Sequence, residues 1–122
     1  IRDADGLGLA EIHQRAEGLI AKARAARLSP DEMTGSTFTI SNLGMADVEN
    51  FTAIINPGES AILAVSSIIK QPVVKSEQIV IRDVMKMTLT ADHRIIDGSL
   101  AAAFVNSIKS KLERISLWKR LV

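Results

Sequence analysis

The pattern of apolar and polar positions divides the chain into two helical ends and a middle of short strands. From about Leu7 to Arg27, the residues Leu9, Ile12, Ala16, Leu19, Ala23 and Ala26 recur at three- and four-residue spacing. Glu11, Gln14, Arg15, Glu17, Lys22, Arg24 and Arg27 take the other faces, which predicts an amphipathic helix. Its alanines favour that state. Leu100, Phe104, Val105, Ile108 and Leu112 predict a second helix ending near Arg114. Between them Thr37–Ser41, Phe51–Ile55, Ser60–Ile69, Val73–Val74 and Ile79–Ile81 read as strands, with Lys75–Gln78 as a hairpin connection. Met85, Met87, Leu89 and Ala91 alternate with Lys86, Thr88 and Thr90, the pattern of a half-buried strand. Residues 1–6 read as a strand end and the Asp5-Gly6 turn. Ser29-Pro30-Asp31-Glu32 reads as the cap and first turn of a short helix.

The expectation is an α/β protein with about six strands and two long amphipathic helices. Several strands are apolar on both faces, so the sheet should be covered on both. Two helices are too few for that, which predicts that part of the fold lies outside these residues or comes from another chain. The start at Ile1-Arg2-Asp3, without methionine, points to the same expectation of an incomplete domain. The length of 122 residues and an apolar content of 47% suit one domain or part of one and argue against disorder. A net charge of +1 implies neither nucleic acid nor a membrane surface as partner. The absence of cysteine removes disulfides, thiolate metal sites and a cysteine nucleophile, and no metal is expected. The longest apolar run, Leu100 to Val105, is far below the ~20 residues that span a bilayer, and no targeting segment is visible.

Candidate chemistry concentrates in Asp92-His93-Arg94-Ile95-Ile96-Asp97-Gly98, where a group that moves protons at neutral pH sits beside carboxylates and a turn glycine. It falls between a strand and a helix, on a loop braced by two rigid elements. From its residues alone, His93 reads more readily as a polar cap of the strand end than as a base. Ser41 reads as a hydroxyl making a local turn hydrogen bond. Asp97, four residues after His93, suits either a His–Asp pair or the cap of the following helix. Gly98 suits a backbone conformation or a close approach that a side chain would prevent. His13 reads as a surface or packing residue, Met45, Met85 and Met87 as core. Lys109, Lys111, Arg114, Lys119 and Arg120 read as a solvated face.

His93-Arg94-Ile95-Ile96-Asp97-Gly98 resembles the His-x-x-x-Asp-Gly motif of the chloramphenicol acetyltransferase-like superfamily. Gly35 to Met45 is similar to the Gly-x-Thr-Phe-Thr-Ile-Ser-Asn-Leu-Gly segment of 2-oxo-acid dehydrogenase acyltransferases, Phe51 to Pro57 to the segment that follows it, and Met87 to His93 to the strand that leads into the motif. The three occur in that family's order, and they place residues 1–122 in the C-terminal part of one catalytic domain, without the lipoyl and peripheral-subunit-binding domains. Leu43-Gly44-Met45 resembles the acetyl type. Ala46-Asp47, Gly58-Glu59 and Ser66-Ser67 depart from the usual residues, which bears on the acyl group more than on the fold.

The resemblance implies a chloramphenicol acetyltransferase-like two-layer fold with a mixed sheet. It implies transfer of an acyl group, acetyl first, between dihydrolipoyl-lysine and coenzyme A in the core of a pyruvate dehydrogenase complex. A branched-chain or succinyl enzyme, a non-catalytic core component and a small-molecule acetyltransferase are the alternatives. Coenzyme A is then a substrate, and the lipoyl group rides on another domain. The implied roles are general base for His93, oxyanion donor for Ser41, and for Asp97 a pairing with an arginine elsewhere that holds the loop. Asn42 would shape the same loop and Met45 line the pantetheine channel, while basic residues of the last helix could meet coenzyme A phosphates. The implied partners are a homotrimer, with the site between neighbouring subunits, built into a 24-mer or 60-mer core. The dehydrogenase and dihydrolipoamide dehydrogenase components would dock through the absent domains. Trp118, Leu121 and Val122 are a candidate trimer–trimer contact or a tail folded on its own domain. The implied location is the bacterial cytoplasm, alternatively the mitochondrial matrix.

Overall fold

The structure, a computed structural model, describes residues 1–120. The chain forms two compact units, one from Ile1–Ser36 with the chain from Arg114 onward, the other from Thr37–Glu113.

In the first unit, helix α1 runs Leu9–Arg24. Ile12, Ala16 and Leu19 form its half-buried stripe, the middle of the predicted one, while Leu9 and Ala23 are exposed. The helix stops short of Arg27 because Ala26 turns left-handed, at φ 52°. The Arg27 N–H reaches back to the Lys22 carbonyl (2.9 Å) and the Ala26 N–H to that of Ala23 (3.0 Å), a helix-closing pair that usually has glycine at the left-handed position. Ser29 and Pro30–Glu32 form the expected short turn, with the Ser29 N–H donating to the Glu32 carboxylate at 2.9 Å. Lys22 pairs with the same carboxylate and, with Ser29, holds it below the usual range. The expected strand end at residues 1–6 is absent. Ala4–Gly6 form a single 3-10 turn instead, entered through left-handed Asp3. A short helix α3, Ile115–Trp118, follows the long C-terminal helix, with Leu117 and Trp118 half-buried. Leu121 and Val122 lie outside the described residues.

The second unit holds β1 (Thr39–Asn42), β2 (Ala61–Val65), β3 (Ile69–Lys75), β4 (Gln78–Val84), β5 (Met87–Ala91) and α2 (Gly98–Leu112). One mixed sheet has the order β1-β2-β5, with β1 parallel and β5 antiparallel to β2. The antiparallel hairpin β3–β4 forms a second sheet. The long strand expected over Ser60–Ile69 is two strands. At Ser66 the side chain enters the ladder: the Ser66 N–H still donates to the Lys86 carbonyl (3.2 Å), but the hydroxyl donates to the same carbonyl (2.7 Å) and accepts from the Lys86 N–H (3.1 Å). The next N–H, of Ser67, turns away to the Val48 carbonyl at 2.9 Å, and the chain restarts as β3. That strand is longer than expected and includes Pro72. Its connection to β4 is the predicted one, with Ser76 and Glu77 at φ 50° and 64° in a two-residue turn. Phe51–Ile55 alternates half-buried and exposed as a strand does, but it joins no ladder among the described residues.

Every residue of β5 is half-buried, so the predicted alternation is lost; α2 packs against this strand. The helix turns Ala101, Val105 and Ile108 inward, whereas Leu100, Phe104 and Leu112 of the expected face are largely exposed. Phe104 meets Phe38 edge to face at 5.7 Å. Among the described residues the buried apolar ones are Ala61, Ile62, Leu63 and Ala64, all on the central strand β2.

Candidate active site

His93 stands on a turn built by the residue before it. The Asp92 N–H is anchored to the Ser60 carbonyl at 2.9 Å, which fixes the turn to the start of β2. Its carbonyl accepts from Ile95 (3.1 Å) and Ile96 (2.9 Å), and its Oδ1 accepts from the Arg94 N–H at 3.0 Å. The Arg94 guanidinium closes on the same carboxylate, Nε to Oδ1 at 2.9 Å and Nη2 to Oδ2 at 2.5 Å. These hydrogen bonds to Arg94 push the Asp92 carboxyl down to about 2, so it stays charged at any working pH. The chain is thus folded tightly under His93, whose imidazole is exposed and has no hydrogen bond or ion pair with the described residues. It is free to act on something else.

What it faces is an open cleft of about 500 Å³, lined by Ile55, Asn56, Pro57, Gly58 and Glu59 on one wall and by Ala91, Asp92, His93 and Arg94 on the other. The first wall is a type II turn: the Glu59 N–H donates to the Asn56 carbonyl at 3.0 Å, with Pro57 and then Gly58 (φ 92°) at the corners. Only glycine takes that φ without strain.

The other expected site residues lie elsewhere. Asp97 is the N-cap of α2, accepting from the Leu100 N–H (2.8 Å) and the Ser99 hydroxyl (2.7 Å), which together hold its carboxyl below the ordinary range. It pairs neither with His93 nor with an arginine among the described residues, so within them it serves as the cap of the helix, the second of the readings its sequence position allows. Gly98 is the first residue of that helix, its φ is not positive, and a Cβ there would meet open space. Neither reason expected for it operates within this chain. Asn42 does shape its loop, its Oδ1 accepting from the Gly44 N–H at 2.8 Å. Met45 is fully exposed rather than a core residue, and neither it nor Asn42 lines the His93 cleft.

Ser41 does not meet His93. It pairs with Ala64, which pairs with Thr88, whereas the strand end leading to His93 is the rung Ala61–Ala91. Three rungs along the strands and two strands across, at ~3.3 and ~4.8 Å each, put Ser41 about 14 Å from Ala91. Contact through one proton needs about 3 Å.

Residues 1–119 match the family model of the 2-oxoacid dehydrogenases acyltransferase catalytic domain. The chain belongs to this acyltransferase family. It is 45% identical over 117 residues to the dihydrolipoyllysine-residue acetyltransferase component of the pyruvate dehydrogenase complex of Rickettsia bellii, covering 96% of this chain and 28% of the relative. It is 46% identical to the mitochondrial counterpart of Schizosaccharomyces pombe, covering 93% and 24%. Two crystal structures share the fold at TM-score 0.89 and 39% identity: a probable dihydrolipoamide acetyltransferase of Listeria monocytogenes and the dihydrolipoamide acetyltransferase of Azotobacter vinelandii. They cover 94% of this chain and 49% and 47% of theirs, respectively. The chain thus spans about a quarter of the curated acyltransferases it matches and half of the solved ones.

Sequence reasoning passed over the Asp92–Arg94 pair and the Asn56–Glu59 wall. Both had a signal. Aspartate two residues before an N–H donor makes an Asx turn, and Asn-Pro-Gly is a turn signature. What no local signal revealed is that the two turns face each other across one cleft.

Proposed function

We propose that this chain is the histidine-bearing, C-terminal part of an acyltransferase catalytic domain that moves an acetyl group between dihydrolipoyl-lysine and coenzyme A. The observation that carries the reading is a spacing. The Azotobacter enzyme was crystallised to define the catalytic roles of a serine, a histidine and an asparagine separated by 52 and 4 positions. Ser41, His93 and Asp97 have the same separations (93 − 41 = 52; 97 − 93 = 4). In this reading His93 takes the proton of the attacking thiol, whose ordinary pKa near ~8.5 leaves it largely protonated. The thiolate adds to the thioester carbonyl, the tetrahedral oxyanion accepts a hydrogen bond from Ser41, and the departing thiolate recovers the proton from the imidazolium.

Since Ser41 stands about 14 Å by strand register from Ala91, the end of the strand that leads to His93, and does not line the His93 cleft, the serine is supplied by a neighbouring copy, and the cleft is completed at an interface. Asn42 and Met45, beside Ser41, then belong to that neighbour's side of the channel. This accounts for a free imidazole in an open cleft. It also fits a homotrimer within a larger core; the cubic core of the pyruvate dehydrogenase multienzyme complex is built from a chain that shares this fold at TM-score 0.89. Lipoyl and subunit-binding domains would lie outside these residues. Relatives also include a succinyltransferase of Arabidopsis thaliana at 44% identity and an acetoin-system acetyltransferase of Bacillus subtilis at 43%. Bacterial relatives favour the cytoplasm, the mitochondrial one the matrix.

The test is acyl transfer by the full-length protein with acetyl- and succinyl-coenzyme A. His93→Ala should abolish most turnover without disassembly, and Ser41→Ala should lower kcat roughly 10²-fold with little change in KM. Co-assembling the two variants in equal amounts should restore about a quarter of the sites if the residues meet across a symmetric interface. No recovery would place both in one subunit and sink the interface reading.

A further inference from the structure

The wall facing His93 is held by a buried acid that acyl transfer does not itself require. Glu59 is only 9% exposed. Its Oε1 accepts from the Thr39 hydroxyl at 2.7 Å and from Asn56 Nδ2 at 3.4 Å, and the same Nδ2 donates to Thr39 Oγ1 at 2.9 Å. Thr39 opens β1, two residues before Ser41. Asn56 lines the cleft, and Ser60, next in the chain after Glu59, gives its carbonyl to the Asp92 N–H under His93. Glu59, with Asn56 beside it, therefore joins the Asn56–Glu59 turn to the strand that carries Ser41, beside the point where the histidine turn is anchored. Burying a carboxylate is costly, and the hydrogen bonds that offset this cost fall on Oε1, so losing them is destabilising and the tie constrains every group in it.

We propose that Glu59 is a positioning residue for acyl transfer: it fixes the cleft wall opposite His93 to the start of β1. The inference rests on the acyl-transfer reading of His93. It predicts a pattern across variants. Glu59→Gln keeps an oxygen to accept from Thr39. Glu59→Ala removes it. Thr39→Val cuts the same tie from a residue that does not line the cleft.

In the full-length enzyme, kcat and KM are measured with dihydrolipoamide and acetyl-coenzyme A, with assembly checked by sedimentation. Glu59→Ala and Thr39→Val should each lower kcat about tenfold by misplacing the wall, with KM for coenzyme A little changed. Glu59→Gln should retain most of kcat, and the Glu59→Ala/Thr39→Val double variant should be no slower than Thr39→Val, which already severs both bonds from the wall to β1. An unchanged kcat in Glu59→Ala with only a lower melting temperature would overturn the proposal. So would a Glu59→Gln variant as slow as Glu59→Ala, or losses that add in the double variant. A wild-type enzyme without acyl transfer would overturn both this and the reading beneath it, whereas an active wild type with a normal Glu59→Ala variant would overturn this alone.

Discussion

Replacing Asp92 by asparagine would test whether the turn beneath His93 is what makes the histidine useful. The carboxylate does two jobs at once. Oδ1 caps the Arg94 N–H at 3.0 Å and takes Nε at 2.9 Å, while Oδ2 takes Nε at 3.1 Å and Nη2 at 2.5 Å. An amide has one oxygen. If that oxygen keeps the backbone cap, its NH₂ confronts guanidinium donors; if it keeps Nη2, the backbone N–H loses its acceptor. The two bonds to the Asp92 carbonyl survive either way, so the turn loosens without unfolding. A displacement of His93 approaching 1 Å would cost about 10- to 10²-fold in kcat. Asp92→Ala, which keeps neither function, should be slower still. The assay is steady-state acyl transfer by the full-length protein, with the assembly state checked in parallel. The pH dependence has a definite sign. The native Asp92 carboxyl is depressed to about 2, below the ~3.9 of an unfolded aspartate, so its contribution to stability is complete above that unfolded value. It is lost as pH falls through about 4 toward about 2. The stability gap between wild type and Asp92→Asn should therefore be flat at neutral pH and close in that acid window. An Asp92→Asn enzyme with wild-type kcat, or a gap that closes near neutrality, would refute the reasoning.

Three further outcomes follow from backbone geometry. Ala26→Gly should stabilise the end of α1 by about 0.5–1 kcal/mol, since the left-handed cost to an L residue is about 1–2 kcal/mol and glycine gives part of it back as chain entropy; a rise in melting temperature checks it. Ser76→Asn with Glu77→Gly puts the preferred residues at two positions with φ 50° and 64°, and should slow hydrogen exchange at the amides of the β3–β4 hairpin. Gly44→Ala would set a Cβ 3.0 Å from Asn42 Oδ1 and 3.3 Å from the Ser66 carbonyl, costing about 1–3 kcal/mol and shifting the loop after Ser41, with a fall in kcat as the readout.

The legible parts of this chain were those whose cause is local. The spacing of Ile12, Ala16 and Leu19 gives α1 because neighbours on a helix face are three and four apart. The β3–β4 turn at Ser76-Glu77 and the short turn at Ser29-Pro30 could be read for the same reason. The break at Ser66 could not. Ser60–Ile69 reads as one strand because apolar residues lie on both sides of Ser66-Ser67, and β2 ends where the Ser66 hydroxyl takes the N–H of Lys86, twenty positions away, and the next N–H turns to Val48. The face of α2 was right at Val105 and Ile108 but rotated at its edge, because Leu100 and Phe104 fit a helical period as well as Ala101 does, and β5 decides which stripe is covered. At the site, the motif pointed to His93, and Asp97 serves the α2 cap, one of the two roles its place before a helix allowed. The immediate support came from Asp92, on the other side of the histidine.

Phe51–Ile55 shows where such a reading reaches its physical limit. Its residues alternate in burial as a strand's should, so the periodicity was sound, yet a strand is completed by a ladder partner and none is present among the described residues. The β3–β4 hairpin has the complementary shortfall. Pro72 pairs with Ile81 and Val74 with Ile79, so these residues share one face, on which Val74, Ile79 and Ile81 are each more than 70% exposed. A lone two-stranded hairpin is marginal in water without a covered face. An unladdered segment and an uncovered apolar face are what remain when pairing and packing partners lie elsewhere. That same incompleteness leaves His93 in an open cleft with Ser41 out of reach. In the reading proposed here, acyl transfer and a finished core are supplied by one event, the arrival of neighbouring polypeptide. The variants that cripple catalysis by loosening Asp92 should therefore leave assembly intact, whereas charges placed on Ile79 or Ile81 should impair both together.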